Sequence, residues 1–218
     1  MTLSVFLLLL MQQEPGAVKP DPILTPIQDV RGLPRVLLIG DSISMGYTVG
    51  VRARLAKIAN VHRVLENAGP TSRGIEKIDQ WLGTGPKWDV VHVNFGLHDL
   101  KREDGFTRQV NPEVYERNLR EIIRKIKTKA NHVIWASTTP VPEGRTNPPR
   151  TPSDVPLYNG IAALVMRDEG IEINNLYEFT LPHVGDWQRP ENVHFFDKGS
   201  DALAEEVASK IRQRLGKK

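Results

Sequence analysis

From Arg35 onward, short apolar runs alternate with longer stretches in which apolar positions recur at helical spacing. Val36–Gly40 (VLLIG) is almost continuously apolar and ends on glycine, the pattern of a strand buried on both faces. Ser44–Ala59 reads as a helix, His62–Asn67 as a second strand, Ile75–Leu82 as a short helix and Asp89–Phe95 (DVVHVNF) as a third strand. Pro112–Lys129 is the most regular segment. Val114, Leu119, Ile122, Ile123 and Ile126 share one helical face, and charged residues occupy the rest. His132–Thr138 follows as a fourth strand, Asp154–Glu169 as a helix, Ile171–Asn174 as a fifth strand and Lys198–Leu215 as the closing helix. This β–α alternation predicts a five-stranded parallel sheet with helices on both faces.

The amino-terminal pattern differs. Leu3–Met11 (LSVFLLLLM) is apolar but too short to span a bilayer, which takes about 20 helical residues. Its length fits the core of a secretory signal, although no Lys or Arg precedes it and no Ala-x-Ala site follows. Residues 1–17 are therefore expected to be an export leader with Gly16-Ala17 as the cleavage point, which makes the mature chain periplasmic or secreted. The competing reading is a buried apolar segment of a cytoplasmic chain. Residues 18–34, with Pro20, Pro22, Pro26 and Pro34, read as a linker to a domain spanning 35–218.

Composition narrows the function. The 218 residues are 39% hydrophobic and 25% charged, which excludes a disordered or multi-span membrane chain. Lys plus Arg is 29 against 26 Asp plus Glu, too even for a dedicated nucleic-acid binder. The basic stretches Arg117–Lys129 and Lys210–Lys218 read as solvated helix faces. The chain has no Cys, so disulfides, thiolate catalysis and Cys-ligated zinc are excluded. Neither nucleic acid nor stable membrane insertion is expected.

In parallel sheets functional groups gather at the carboxyl ends of the strands. Here the first strand ends in Gly40-Asp41-Ser42, the second in Asn67-Ala68-Gly69 and the third in Gly96-Leu97-His98-Asp99, while Glu191-Asn192-Val193-His194 precedes the last helix. Ser42 sits in a strand-to-helix turn, with the positive end of a helix behind its hydroxyl. The bland alternative is that Ser42 or Ser44 only caps the helix. His194 is the candidate base. Glu191 is the candidate acid to orient it, with Asp186 as a substitute. The amides of Ser42 and Gly69 and the side chain of His98 are candidate oxyanion donors. Asp99 reads as structural, capping or pairing in its loop.

In these blocks the sequence resembles GDSL-type esterases and lipases of the SGNH hydrolase superfamily, over about residues 35–215. Gly40-Asp41-Ser42-Ile43-Ser44 matches the block carrying the nucleophile, and Asn67-Ala68-Gly69 the block carrying an oxyanion glycine. Gly96-Leu97-His98-Asp99 stands where the family has Gly-x-Asn-Asp, and Glu191-Asn192-Val193-His194 where it has Asp-x-x-His. The resemblance implies a flavodoxin-like three-layer α/β/α sandwich, serine-esterase chemistry and no cofactor. His98 departs from the usual Asn, but a neutral imidazole still has one N–H to donate. Glu191 departs from the usual Asp, and its extra methylene sets the backbone slightly farther from the imidazole. If neither acid reaches, a Ser42–His194 dyad remains.

The rim loops are polar and Pro-rich, notably Thr139–Pro156, and Arg73, Arg145, Trp187 and Arg189 lie in or near them. A polar rim with an aromatic residue suits a small-molecule or glycan ester carrying short acyl groups, acetyl foremost. The runner-up is a lysophospholipase or thioesterase-like acyl hydrolase. Two readings come from other classes. One is a non-catalytic glycan-binding module on the same fold. The other is a metal-dependent phosphoesterase using Asp41, His98, Asp99 and His194, for which no ligand spacing fixes a geometry.

Overall fold

The computed structural model describes residues 21–216. The apolar run Leu3–Met11 and the expected leader at 1–17 lie outside these residues. Strands β1 (Arg35–Ile39), β2 (Asn60–Arg63), β3 (Trp88–Val93), β4 (Ala130–Ala136) and β5 (Glu172–Asn174) form one sheet in the order β2-β1-β3-β4-β5. Every pairing is parallel. The order reverses direction between β1 and β3, so a crevice opens at the carboxyl ends of these two strands. The central strands are buried as their composition requires: Val36, Leu38, Ile39, Val90, Val91 and Val93 have no exposed surface.

Helices α2 (Thr71–Leu82), α3 (Pro112–Lys129) and α4 (Asp154–Glu169) pack side by side in one layer. Helix α1 (Ser42–Arg54) packs against α7 (Asp197–Arg214) in another. Arg54 of α1 ties the pair at its surface through Asp201 and Glu205 of α7. Short helices α5 (Leu176–Thr180) and α6 (Val184–Trp187), joined by a 3-10 turn at Leu181–His183, complete the described elements. The architecture is the expected α/β/α sandwich.

Helix α3 shows how sequence makes an element here. Asn111 caps it by accepting from the Val114 amide at 2.9 Å, Pro112 occupies the first turn, and Lys127 and Lys129 close its carboxyl end. Leu119, Ile122, Ile123 and Ile126 are fully buried. At about 1.5–3 kcal/mol for each large apolar side chain, this face outweighs anything helix propensity supplies.

Several boundaries differ from the sequence expectation: α1 runs from Ser42 to Arg54 rather than over Ser44–Ala59, and β4 from Ala130 to Ala136 rather than over His132–Thr138. The second strand begins at Asn60 and ends at Arg63, because Leu65 has already turned outward and is 51% exposed. Helix α2 begins at Thr71 rather than Ile75. Its first amide is capped by Asp99 from the loop after β3, at 2.9 Å, while Pro70 offers no side-chain cap. The segment 21–34 has no regular structure, yet it is fastened to the domain rather than free of it. Asn60 bonds both the amide and the carbonyl of Val30, and Arg52 donates to the carbonyls of Pro22 and Thr25.

Candidate active site

The turn from β1 into α1 presents Ser42 as the first residue of the helix. Asp41 caps it, its carboxylate accepting from the Ile43 amide at 2.9 Å, so Ser42 is free of capping duty. Ser44 turns inward instead and donates to the Asp41 carbonyl at 2.7 Å. Beneath the turn lies Arg63 of β2, only 4% exposed, which donates to the Gly40 carbonyl at 3.0 Å and to the Ser44 hydroxyl at 2.8 Å. Burial pulls its guanidinium down to about 10, partly offset by Tyr47 and Asp41. Nothing in the sequence pattern marked Arg63 as part of this turn.

His194 reaches Ser42 from 152 residues downstream. Its Nε2 lies 2.8 Å from the Ser42 Oγ. Its Nδ1 lies 2.7 Å from the Asn192 Oδ1. An amide oxygen only accepts, so the Nδ1 carries the proton and Nε2 presents its lone pair to the hydroxyl. The imidazole's pKa is lowered, first by burial, with Asp41 acting in the opposite direction and Arg150 and Arg189 reinforcing the fall.

The loop holding His194 is itself braced. Gln188 and Phe195 form an antiparallel bridge, the Arg189 amide donates to the His194 carbonyl at 2.9 Å, and the Phe196 amide donates to the Trp187 carbonyl at 2.8 Å. The buried Gln188 amide group donates to the carbonyls of Pro140 and Val193, at 2.8 and 2.9 Å, pinning this hairpin-like loop to the segment after β4.

Neither expected acid lies on the imidazole. Glu191 adopts a left-handed backbone (φ 52°), and its carboxylate turns to the Arg145 amide, a long 3.5 Å contact beside Gly144. Asp186 is occupied by an exposed ion pair with Lys198. Asn192 takes the place the sequence reading gave to Glu191. The two-residue spacing, with the Asn192 side chain also accepting from the His194 amide at 3.0 Å, is the local turn signal that would have found it.

The candidate oxyanion donors lie on the same edge. The Ser42 amide is the first of α1, a position with no intrahelical partner. Gly69 has φ +66° and donates its amide to the Asn67 Oδ1 at 2.9 Å, so this donor is engaged locally. His98 is half-buried, and its pKa is pushed down to about 4 by burial, with Asp41 opposing and Lys101, Arg150 and His194 adding to the fall. It is therefore neutral near pH 7, with a single N–H to offer. The preceding Gly96 (φ +150°) has no room for a side chain, because a Cβ there would lie 2.0 Å from the Thr138 hydroxyl. Asp99 is structural: it accepts from both the amide and the hydroxyl of Thr71, at 2.9 and 2.5 Å.

Of the expected substrate contacts, only Arg189 lines the cleft that holds Ser42 and His194. That cleft has a volume of about 430 Å³. Arg73 folds over Gly69 and pairs with Glu66. Arg145 is exposed beyond the Glu191 contact. Trp187 belongs to the packing of the carboxyl-terminal layer, stacked on His183 at 3.9 Å and tilted against Phe179. Among the described residues no group of three His, Asp or Glu side chains is placed to hold a metal ion, Asp41, His98, Asp99 and His194 included. No described helix is long and apolar enough to cross a membrane.

A parallel α/β/α sandwich with a hydroxyl–imidazole pair at its switch point defines a class of hydrolytic scaffold. The GDSL-like lipase/acylhydrolase family model matches residues 38–202, and the chain belongs to that family of ester-bond hydrolases. Solved structures resemble it in fold. A lipase/acylhydrolase from Enterococcus faecalis is 20% identical with a TM-score of 0.72, covering 84% of this chain and 97% of its own. The acetyl xylan esterase AlAXEase is 16% identical with a TM-score of 0.70, covering 81% and 99%. An acetylxylan esterase from Geobacillus stearothermophilus is 15% identical with a TM-score of 0.62, covering 85% and 95%. No curated protein matches the chain.

Proposed function

We propose that this ester hydrolase is a serine esterase that removes short acyl groups, acetyl foremost, from carbohydrate. The observation that carries the reading is the 2.8 Å contact between the Ser42 hydroxyl and the His194 Nε2. In the proposed reaction, His194 takes the Ser42 proton as Oγ attacks the acyl carbonyl. The resulting oxyanion lies toward the Ser42 amide, with Gly69 and His98 as further donors once the Gly69 amide leaves Asn67. The tetrahedral intermediate collapses, the carbon–oxygen bond to the alcohol breaks, and His194 returns its proton to that oxygen. A water then gives its proton to His194 and attacks the acyl-enzyme; the acyl–Oγ bond breaks, the acid leaves, and His194 returns the proton to the Ser42 Oγ. Asn192 holds the imidazole throughout.

The substrate reading rests on the polar, Pro-rich rim and on the mixed lining of the cleft, with Arg189, Asp197 and Ser200 beside Ile43 and Phe195. Two structural neighbours named as acetylxylan esterases accord with it. The apolar run at Leu3–Met11 supports export to where polymeric glycans occur.

The test is a chain-length series of acyl esters together with acetylated sugars, run beside Ser42→Ala. Expected are a maximum at acetyl, release of acetate from the sugars, and loss of all activity in Ser42→Ala with an unchanged circular-dichroism spectrum. A maximum at medium or long chains would transfer the protein to the lipid or thioester hydrolases. Full activity in Ser42→Ala would remove the mechanism.

A further inference from the structure

We infer that Ile23, carried on the ordered segment 21–34, forms a wall of the subsite for the alcohol half of the ester and sets which alcohols fit. This rests on the esterase reading above. The segment lies ahead of residues 38–202, where the family match runs. Ile23 lines the same cleft as Ser42 and His194.

Its position is held from both sides. A turn at Asp21 receives the Ile23 amide on its carboxylate at 2.8 Å, and the Leu24 amide and Thr25 hydroxyl on its carbonyl at 3.2 and 2.6 Å. Arg52 of α1 then grips the carbonyls of Pro22 and Thr25, which flank Ile23, at 2.5 and 3.4 Å. The Arg52 Nε is in turn fixed on the Val61 carbonyl of β2 at 3.1 Å. One guanidinium thus ties the segment to the helix that begins with Ser42.

The assignment to the alcohol half follows from which groups line the cleft. Ser42 and His194 do, whereas Gly69 and His98 do not. The carbonyl oxygen must face the oxyanion donors, and the leaving oxygen must face the His194 Nε2 to take its proton. The group attached to the leaving oxygen therefore extends into the cleft. Ile23 and Phe195 offer apolar surface to the ring carbons of a sugar, and Arg189, Asp197 and Ser200 offer partners to its hydroxyls.

The experiment compares Ile23→Ala and Ile23→Trp with the parent chain on two series. One holds acetyl constant and enlarges the alcohol from ethyl to an acetylated disaccharide; the other holds 4-nitrophenol constant and lengthens the acyl chain. Ile23→Trp is expected to lower kcat/KM for the acetylated disaccharide roughly tenfold, chiefly through KM, and to affect ethyl acetate far less. Ile23→Ala should flatten the dependence on alcohol size, and both variants should keep the parent's acyl-length profile. An unchanged alcohol profile in both variants, or a shift in the acyl profile instead, overturns the inference while Ser42-dependent hydrolysis by the parent stands. Absence of Ser42-dependent hydrolysis in the parent removes the esterase reading itself, and this subsite with it.

Discussion

Asn192 and Glu191 are adjacent in sequence, yet only one meets the imidazole. The left-handed backbone at Glu191 swings its carboxylate toward the 144–145 loop and leaves Asn192 on the Nδ1 of His194. The partner of the proposed base is therefore uncharged. It orients the ring but stabilises an imidazolium less than a carboxylate would; burial, reinforced by Arg150 and Arg189, keeps the imidazole below its ordinary value of about 6.5. The base works when neutral, so a lowered pKa extends activity downward, and the acid limb of kcat/KM should fall below pH 6.5. Asn192→Ala should cost roughly 10²-fold in kcat by freeing the ring. Asn192→Asp should move the acid limb upward, because a carboxylate favours the protonated ring. Glu191→Gln should stay within about twofold of the parent if its contact is only with the loop. A pH–rate profile of the three variants checks all of this, and a collapse of activity in Glu191→Gln alone would restore the glutamate as the orienting acid.

Among the elements, what could be read from sequence was what depended on local period. The apolar run of β1 and the amphipathic face of α3 carry their own signal, and both lie where expected. The start of α2 does not, because its cap arrives from Asp99, 28 residues away. Nor do α5 and α6, too short for a period and broken by Pro182 and Gly185. The Asp99 cap has a measurable consequence. Burial pushes its carboxyl up to about 7, against the opposing bonds from Thr71. The unfolded value is near 3.9, so the folded state holds the proton more tightly; this stabilisation is complete below about pH 4 and is lost as pH rises through 7. Asp99→Asn keeps an accepting oxygen for Thr71 and cannot ionise. Its urea midpoint should match or exceed the parent's at pH 8, while Asp99→Leu, which abandons the cap and does not titrate, should lose about 1 kcal/mol or more at pH 4 and less at pH 8.

For the molecule as a whole, a second buried group opposes Asp99 over the same interval. His92, at the centre of β3, is wholly buried, packs edge-on against Tyr47 and has no protein partner for either ring nitrogen. Burial takes its pKa down to about 4 from the ordinary value near 6.5. Stability from the neutral ring is complete above 6.5 and drains away as pH falls toward 4. His98 and His194, whose values are also lowered, add to the same loss, so the parent should lose stability as pH falls from 6.5 toward 4 despite the gain from Asp99. His92→Leu should lessen that loss so that the variant gains on the parent as pH falls, which chemical denaturation at pH 4.5 and pH 7.5 would read; equal shifts at both pH values would refute it. The alternating pattern pointed to one edge of the sheet, and the four sequence blocks named Ser42 and His194, which lie 2.8 Å apart in the candidate site there. Side-chain partners were beyond that pattern, since they turn on single backbone angles such as that of Glu191 and on buried side chains such as Arg63.

His194 is open to solvent while Ser42 stands half-buried at its side. An entrance of that kind asks nothing of a polymer's free end. On the proposed reading, a glycan far longer than the protein would lie across the rim, yield one acylated unit to the hydroxyl, and slide on without being threaded or cut.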